Sequence, residues 1–173
     1  MQTNTPCTDH FRAEHTSVRR GLDAIEAELA AAPDTDDSRP TRDAFLGLII
    51  LFERDLARHL DDEERLLYAA LRHHGVGDDA VLHACFQEHG DIRVGVQTMR
   101  RVWSRAFPGT PGVVAELKDC AARMITLVRE HLEREEGSLF PRAETILTAA
   151  VLERPDASGH CFPSARSNGR SAI

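Results

Sequence analysis

Two ten-residue stretches of this chain carry one pattern of metal-ligating side chains. The first runs His59-Leu60-Asp61-Asp62-Glu63-Glu64-Arg65-Leu66-Leu67-Tyr68, and the second His131-Leu132-Glu133-Arg134-Glu135-Glu136-Gly137-Ser138-Leu139-Phe140. Both read H-L-x-x-E-E-x-x-L-aromatic, about 72 positions apart. A second pair matches at an offset of about 74: Glu14-His15-x-x-Val18-Arg19-x-Gly21-Leu22 and Glu88-His89-x-x-Ile92-Arg93-x-Gly95-Val96. On a helix, positions i and i+4 lie one turn apart on one face, so His59 with Glu63 can grip one cation, and His131 with Glu135 likewise. Each of these histidines falls on an apolar stripe, which turns it toward the interior. A buried imidazole or carboxylate without a partner is costly, and two carboxylates converging there repel unless a proton or a cation lies between them. A pair of metal ions satisfies His15, His59, Glu63, His89, His131 and Glu135 together. One H-x-x-x-E among nine histidines is expected by accident. Two copies with matching flanks, plus two inward histidines, are not.

The elements that must position these groups are helices. Gly and Pro punctuate the chain at few places: Ala32-Pro33 to Pro40, Gly75 to Gly77, Phe107 to Gly112 and Pro141. The stretches between are rich in Ala, Leu, Glu and Arg, which favour helix. Four helices are expected over Asp9–Ala31, Thr41–His73, Asp78–Ala106 and Gly112–Phe140. Their apolar residues recur at three- and four-residue steps: Val18, Leu22, Ile25 and Leu29; Phe52, Leu56, Leu60 and Leu67; Phe86, Ile92, Val96 and Met99; Ala121, Ile125, Val128, Leu132 and Leu139. The expected fold is all-α, an antiparallel up-down-up-down four-helix bundle. A short fifth helix is expected after Pro141, over Arg142–Glu153. Counting ~1.5 Å of rise per residue from each turn brings all four histidines to one level within ~3–5 Å. The domain should span 9–153, between a short N-terminal tail (1–8) and a disordered C-terminal tail (154–173) rich in Ser, Gly and Arg.

Composition narrows the function classes. The chain has 173 residues, with 28 acidic against 21 basic and a formal net charge of −7, which argues against a nucleic-acid partner. No apolar run reaches the ~18–20 residues of a membrane span, and the first residues lack the basic and apolar parts of a signal peptide. The four cysteines, Cys7, Cys85, Cys120 and Cys161, form no CxxC pair and read as thiols of a cytoplasmic protein. There is no phosphate-binding glycine loop, nucleophile elbow, H-E-x-x-H or E-x-x-H.

The set His15, His59-x-x-x-Glu63, His89, His131-x-x-x-Glu135 resembles the hemerythrin-like family, the HHE cation-binding domain, over about residues 9 to 145. The resemblance implies a four-helix bundle holding two iron ions in a non-haem centre with an oxo or hydroxo bridge. It also implies that Glu63 and Glu135 bridge the metals, while the pairing of the four histidines with each iron stays open. The oxygen-carrying animal hemerythrins have a fifth histidine one turn before the ligand on the third helix, where this chain has Cys85. His83 lies about 120° off that face. Fewer imidazoles leave more coordination positions open. The expected ligand is therefore a small oxidant (O2, NO or H2O2) met in sensing, scavenging or stress response, by a monomer or weak homodimer. Two alternatives stand beside it: a di-iron enzyme with peroxide-decomposing or oxidase activity, and a non-redox bundle that a metal merely stabilises. Glu14 and Glu88 are candidates for orienting imidazoles. Glu64 and Glu136 are expected to face water, Tyr68 and Phe140 to pack the end of the bundle, and Cys85 to fill core. His10, His73, His74 and the His160-Cys161 pair are expected to stay outside the site.

Overall fold

The computed structural model describes residues 7–35, 38–106 and 110–152. Its regular structure is four long helices, with no strand among the described residues. The first helix is Asp9–Ala31, the second covers residues 39–73, the third is Ala80–Arg105 and the fourth covers residues 113–152. The expected C-terminal tail, with His160 and Cys161, lies outside the described residues.

Local chemistry sets the boundaries. The Ser38 hydroxyl accepts from the Thr41 N–H and Pro40 sits in the first turn of the second helix, where its missing N–H is no loss. Asp79 accepts from the N–H groups of Val81 and Leu82 to open the third. Gly75, with φ 80°, ends the second helix in the left-handed conformation that glycine adopts without steric cost.

Each expected apolar stripe turns inward except at Phe86, which is 41% exposed. Leu82 and Cys85 take the inner positions of that turn instead. Two apolar clusters form. The larger gathers Val18, Leu22, Leu48, Phe52, Ile92, Met99 and Val128 among others. The smaller gathers Phe11, Leu67, Tyr68, Leu71, Leu82, Cys85, Leu139 and Phe140. Along every helix, the buried histidines and glutamates fall between members of the two. His15 stands between Phe11 and Val18, His59 and Glu63 between Leu56 and Leu67, His89 between Cys85 and Ile92, and His131 and Glu135 between Val128 and Leu139. A polar layer thus divides the apolar interior.

Polar contacts tie the helix ends. Thr8 and Arg12 reach Glu144 late in the fourth helix, while Lys118 near its start donates to the Ala32 carbonyl at 2.7 Å. Arg42 donates to the Ala106 carbonyl, joining the start of the second helix to the end of the third. Gly95 lets the third helix approach the fourth closely, and a methyl group there would displace the Met124 thioether.

The helices are not α-helical throughout. Leu51–Leu56, Glu63–Tyr68 and Glu135–Leu139 are π-helical, with i→i+5 hydrogen bonding. The last of these explains why the expected break at Pro141 does not occur, so that no separate fifth helix exists: the fourth helix runs on to Leu152. A proline inside an α-helix loses a hydrogen bond and clashes with the carbonyl four residues back. Here Phe140 already donates to the Glu135 carbonyl five residues back, and the widened turn directly before the proline relieves the clash. We therefore expect Pro141→Ala to change the unfolding free energy in urea by less than about 1 kcal/mol, against the ~3 kcal/mol of a proline in a regular helix interior. A gain near the larger figure would show that the π turn gives no relief.

Candidate metal centre

All six residues singled out by spacing come together. His15, Glu63, His89, His131 and Glu135 are 0% exposed and His59 1%. Each imidazole turns Nε2 inward. His15 Nε2 lies 3.0 Å from His59 Nε2, 3.3 Å from Glu135 Oε2 and 3.6 Å from Glu63 Oε1. His59 Nε2 is 3.4 Å from Glu63 Oε1, His89 Nε2 3.5 Å from Glu63 Oε2, and His131 Nε2 3.5 Å from Glu135 Oε2. The two oxygens of Glu63 therefore face different histidine pairs.

The outward nitrogens are equally ordered. Each Nδ1 has one carboxylate partner: Glu136 for His15 at 2.9 Å, Glu14 for His59 at 2.9 Å, Glu64 for His89 at 2.8 Å and Glu88 for His131 at 3.1 Å. A carboxylate only accepts, so each Nδ1 carries a proton, and a neutral imidazole then presents its Nε2 lone pair to the interior. Every outer carboxylate also meets an arginine: Arg19 at Glu136, Arg58 at Glu14, Arg93 at Glu64 and Arg134 at Glu88. The expectation that Glu64 and Glu136 face water is thus corrected. They are only partly exposed, and their position one residue after Glu63 and Glu135 sends them to the histidine of the neighbouring helix.

Tyr68 is also drawn in. Its hydroxyl donates to Glu135 Oε1 at 2.6 Å and sits 3.0 Å from His89 Nε2. On a regular helix residue 68 lies about 140° round from residue 63. The π turn over Glu63–Tyr68 brings i and i+5 into line, so the tyrosine falls under the glutamate. The same shift over Glu135–Leu139 sets Phe140 against His15, ring centroids 5.1 Å apart. Phe140 packs as expected, whereas Tyr68 adds a polar group to one half of the site. Cys85 is buried among the apolar residues of the smaller core, and burial with the nearby Glu135 and Glu63 charges pushes its thiol up to about 12. His10, His73 and His74 are exposed.

Electrostatics show what the cluster lacks. Burial pushes the Glu63 carboxyl well above the usual range, reinforced by the neighbouring Glu135 charge. Burial acts on Glu135 as well, but His131, His15 and the Tyr68 hydroxyl hold it low. Burial drives His59, His89 and His131 down, His89 to about 4. Four polar atoms aimed at the centre find no hydrogen-bond partner: both Glu63 oxygens, Glu135 Oε2 and His131 Nε2. The ligand atoms fall into two overlapping groups of four, His15, His59, Glu63 and Glu135, and Glu63, His89, His131 and Glu135, each with its atoms within 4.8 Å of one another. Neutral imidazoles, carboxylates and orphaned acceptors are the donor set of a transition-metal ion, and the residues fit such a cation in each group.

These features define a helical protein organised around a buried, cation-binding cluster of histidines and glutamates. The chain belongs to the hemerythrin family, whose HHE cation binding domain model matches residues 8–144. No curated protein and no solved structure matches it. No described helix is long and apolar enough to cross a membrane.

The depressed histidines make the metal-free protein acid-sensitive. Between the unfolded value of 6.5 and the lower folded values, the unfolded chain binds more protons at His59, His89 and His131, so stability rises with pH. Glu63 opposes this above its unfolded value of 4.5, as one group against three. The melting temperature of the metal-free protein should fall as pH is lowered from about 6.5 toward 4, and a flat or rising profile over that window would contradict the burial of neutral imidazoles.

Proposed function

We propose that the protein binds two iron ions, one held by His15 and His59, the other by His89 and His131, with Glu63 and Glu135 bridging. The observation that carries this reading is the pair of four-residue groups that share both glutamates. Iron would supply redox chemistry toward a small oxidant (O2, NO or H2O2) in sensing, scavenging or stress response. The protein's own residues do the rest. The outer carboxylates fix each imidazole ring and keep its proton on Nδ1, and the two apolar clusters keep bulk water from the centre. Tyr68 holds a proton between Glu135 and His89. Four protein donors around each cation leave positions open for a small molecule, as in other non-haem iron sites that meet oxygen.

The same reading takes the four helices as an antiparallel up-down-up-down bundle forming one domain over 9–153, at work in the cytoplasm as a monomer or weak homodimer. The contacts of Glu144 with Thr8 and Arg12, of Lys118 with Ala32 and of Arg42 with Ala106 support that topology, because each ties the start of one helix to the end of another.

Elemental analysis with an absorbance spectrum tests the proposal. Wild-type protein reconstituted with iron should retain two ions per chain and absorb in the near ultraviolet when oxidised. Glu63→Ala or Glu135→Ala should retain one or fewer, and full retention by both variants would refute the bridges. Preferential retention of zinc, with no near-ultraviolet band, would favour a non-redox bundle. Glu64→Ala, which leaves His89 without its Nδ1 acceptor, should weaken metal affinity ~10–100-fold by chelator competition. Unchanged affinity would return Glu64 to the solvated face.

A further inference from the structure

The six cluster residues are at most 1% exposed, so a small molecule can reach them only by crossing a layer of side chains. At the level of the imidazoles, every pair of neighbouring helices is latched by a histidine–glutamate–arginine contact: Glu14 with His59 and Arg58, Glu136 with His15 and Arg19, Glu64 with His89 and Arg93, Glu88 with His131 and Arg134. Beside one of these latches, between the second and third helices, an apolar groove of about 250 Å³ opens to solvent. Phe52, Leu56, Leu60, Ile92 and Val96 line it. Two ion-paired arginines frame it, Arg100 with Glu53 at one end and Arg93 with Asp61 and Glu64 at the other.

We propose that this groove is the entry route of a small neutral gas to the cluster, with Leu60 and Ile92 as its inner gate. The inference rests on the oxidant reading above. Leu60 follows His59 in the chain, and Ile92 lies one turn from His89 on the third helix, so the groove floor adjoins one histidine of each four-residue group. Both line the groove and are 1% exposed, so their side chains turn inward from its floor. The π turn Leu51–Leu56 carries no cluster residue, yet it supplies Phe52 and Leu56 to the wall. The two lining arginines are already paired with carboxylates, which leaves the apolar walls to select the occupant. A neighbouring groove between the first and second helices, of about 500 Å³, has His10, Glu14, Arg54, Asp55 and Arg58 in its lining and suits water and ions instead.

Xenon reports apolar gas sites without any chemistry at the metal. Crystals of the full chain under xenon pressure should show an atom in the groove against Leu60 and Ile92, and Val96→Trp should abolish it. In stopped flow, the reduced iron-loaded protein should react with dioxygen at least tenfold more slowly as Val96→Trp, with metal content unchanged. Ala57→Phe, a smaller plug at the rim, serves if the tryptophan impairs folding. Xenon absent from the groove, or an unaltered dioxygen rate in a plugged variant of normal metal content, would overturn the route alone. A wild-type centre inert to dioxygen while xenon fills the groove would instead overturn the oxidant reading, and the route with it.

Discussion

Four imidazole lone pairs and two carboxylates converge at the centre of an apolar interior, and they cannot be left facing one another. With every Nδ1 proton committed to an outer carboxylate, the 3.0 Å approach of His15 Nε2 to His59 Nε2 sets one lone pair against another. In a medium of low dielectric that arrangement is repulsive, and burial beside the Glu135 charge favours a protonated Glu63. A cation held between these donors would remove the conflict. The demand for positive charge at this point explains the burial of six polar residues that a folding chain would otherwise keep in water.

The surroundings are arranged outward from that demand. Beyond the inner ligands lie four glutamates that hold the imidazole protons, and beyond those lie four arginines that balance the glutamates. The outer glutamates and arginines compensate one another, and the centre alone lacks a positive charge. The two apolar clusters close the cluster above and below along the helix axes. Because each outer pair reaches from one helix to another, the contacts that orient the ligands also hold the helices in register.

Much of this was legible in the residues themselves. The i, i+4 spacing of His59 with Glu63 and His131 with Glu135, repeated beside two E-H dipeptides, identified the six inner residues because one face of a helix is a one-dimensional code. What it did not reveal depends on two other things. Glu64 and Glu136 face away from their own helix's core, and only the neighbouring helix brings them an imidazole, which no periodicity within one helix records. Tyr68 and the continuity through Pro141 depend on π turns, which add a residue to a turn and rotate everything beyond it. The recurrence of Leu-aromatic four and five residues after each glutamate was the available sign: an α-helix cannot bury both positions beneath the same carboxylate. Phe86 misled for the ordinary reason that an apolar residue at the border of a stripe can be left in water.

The chain reads as one hairpin written twice, yet the copies differ beside the cluster: a phenol oxygen stands next to His89 where a bare ring stands next to His15. A symmetric pair of such hairpins would hold two interchangeable ions. Fusing the copies into one polypeptide frees each half to change alone, and this one hydroxyl gives one half of the cluster a proton donor that the other half lacks.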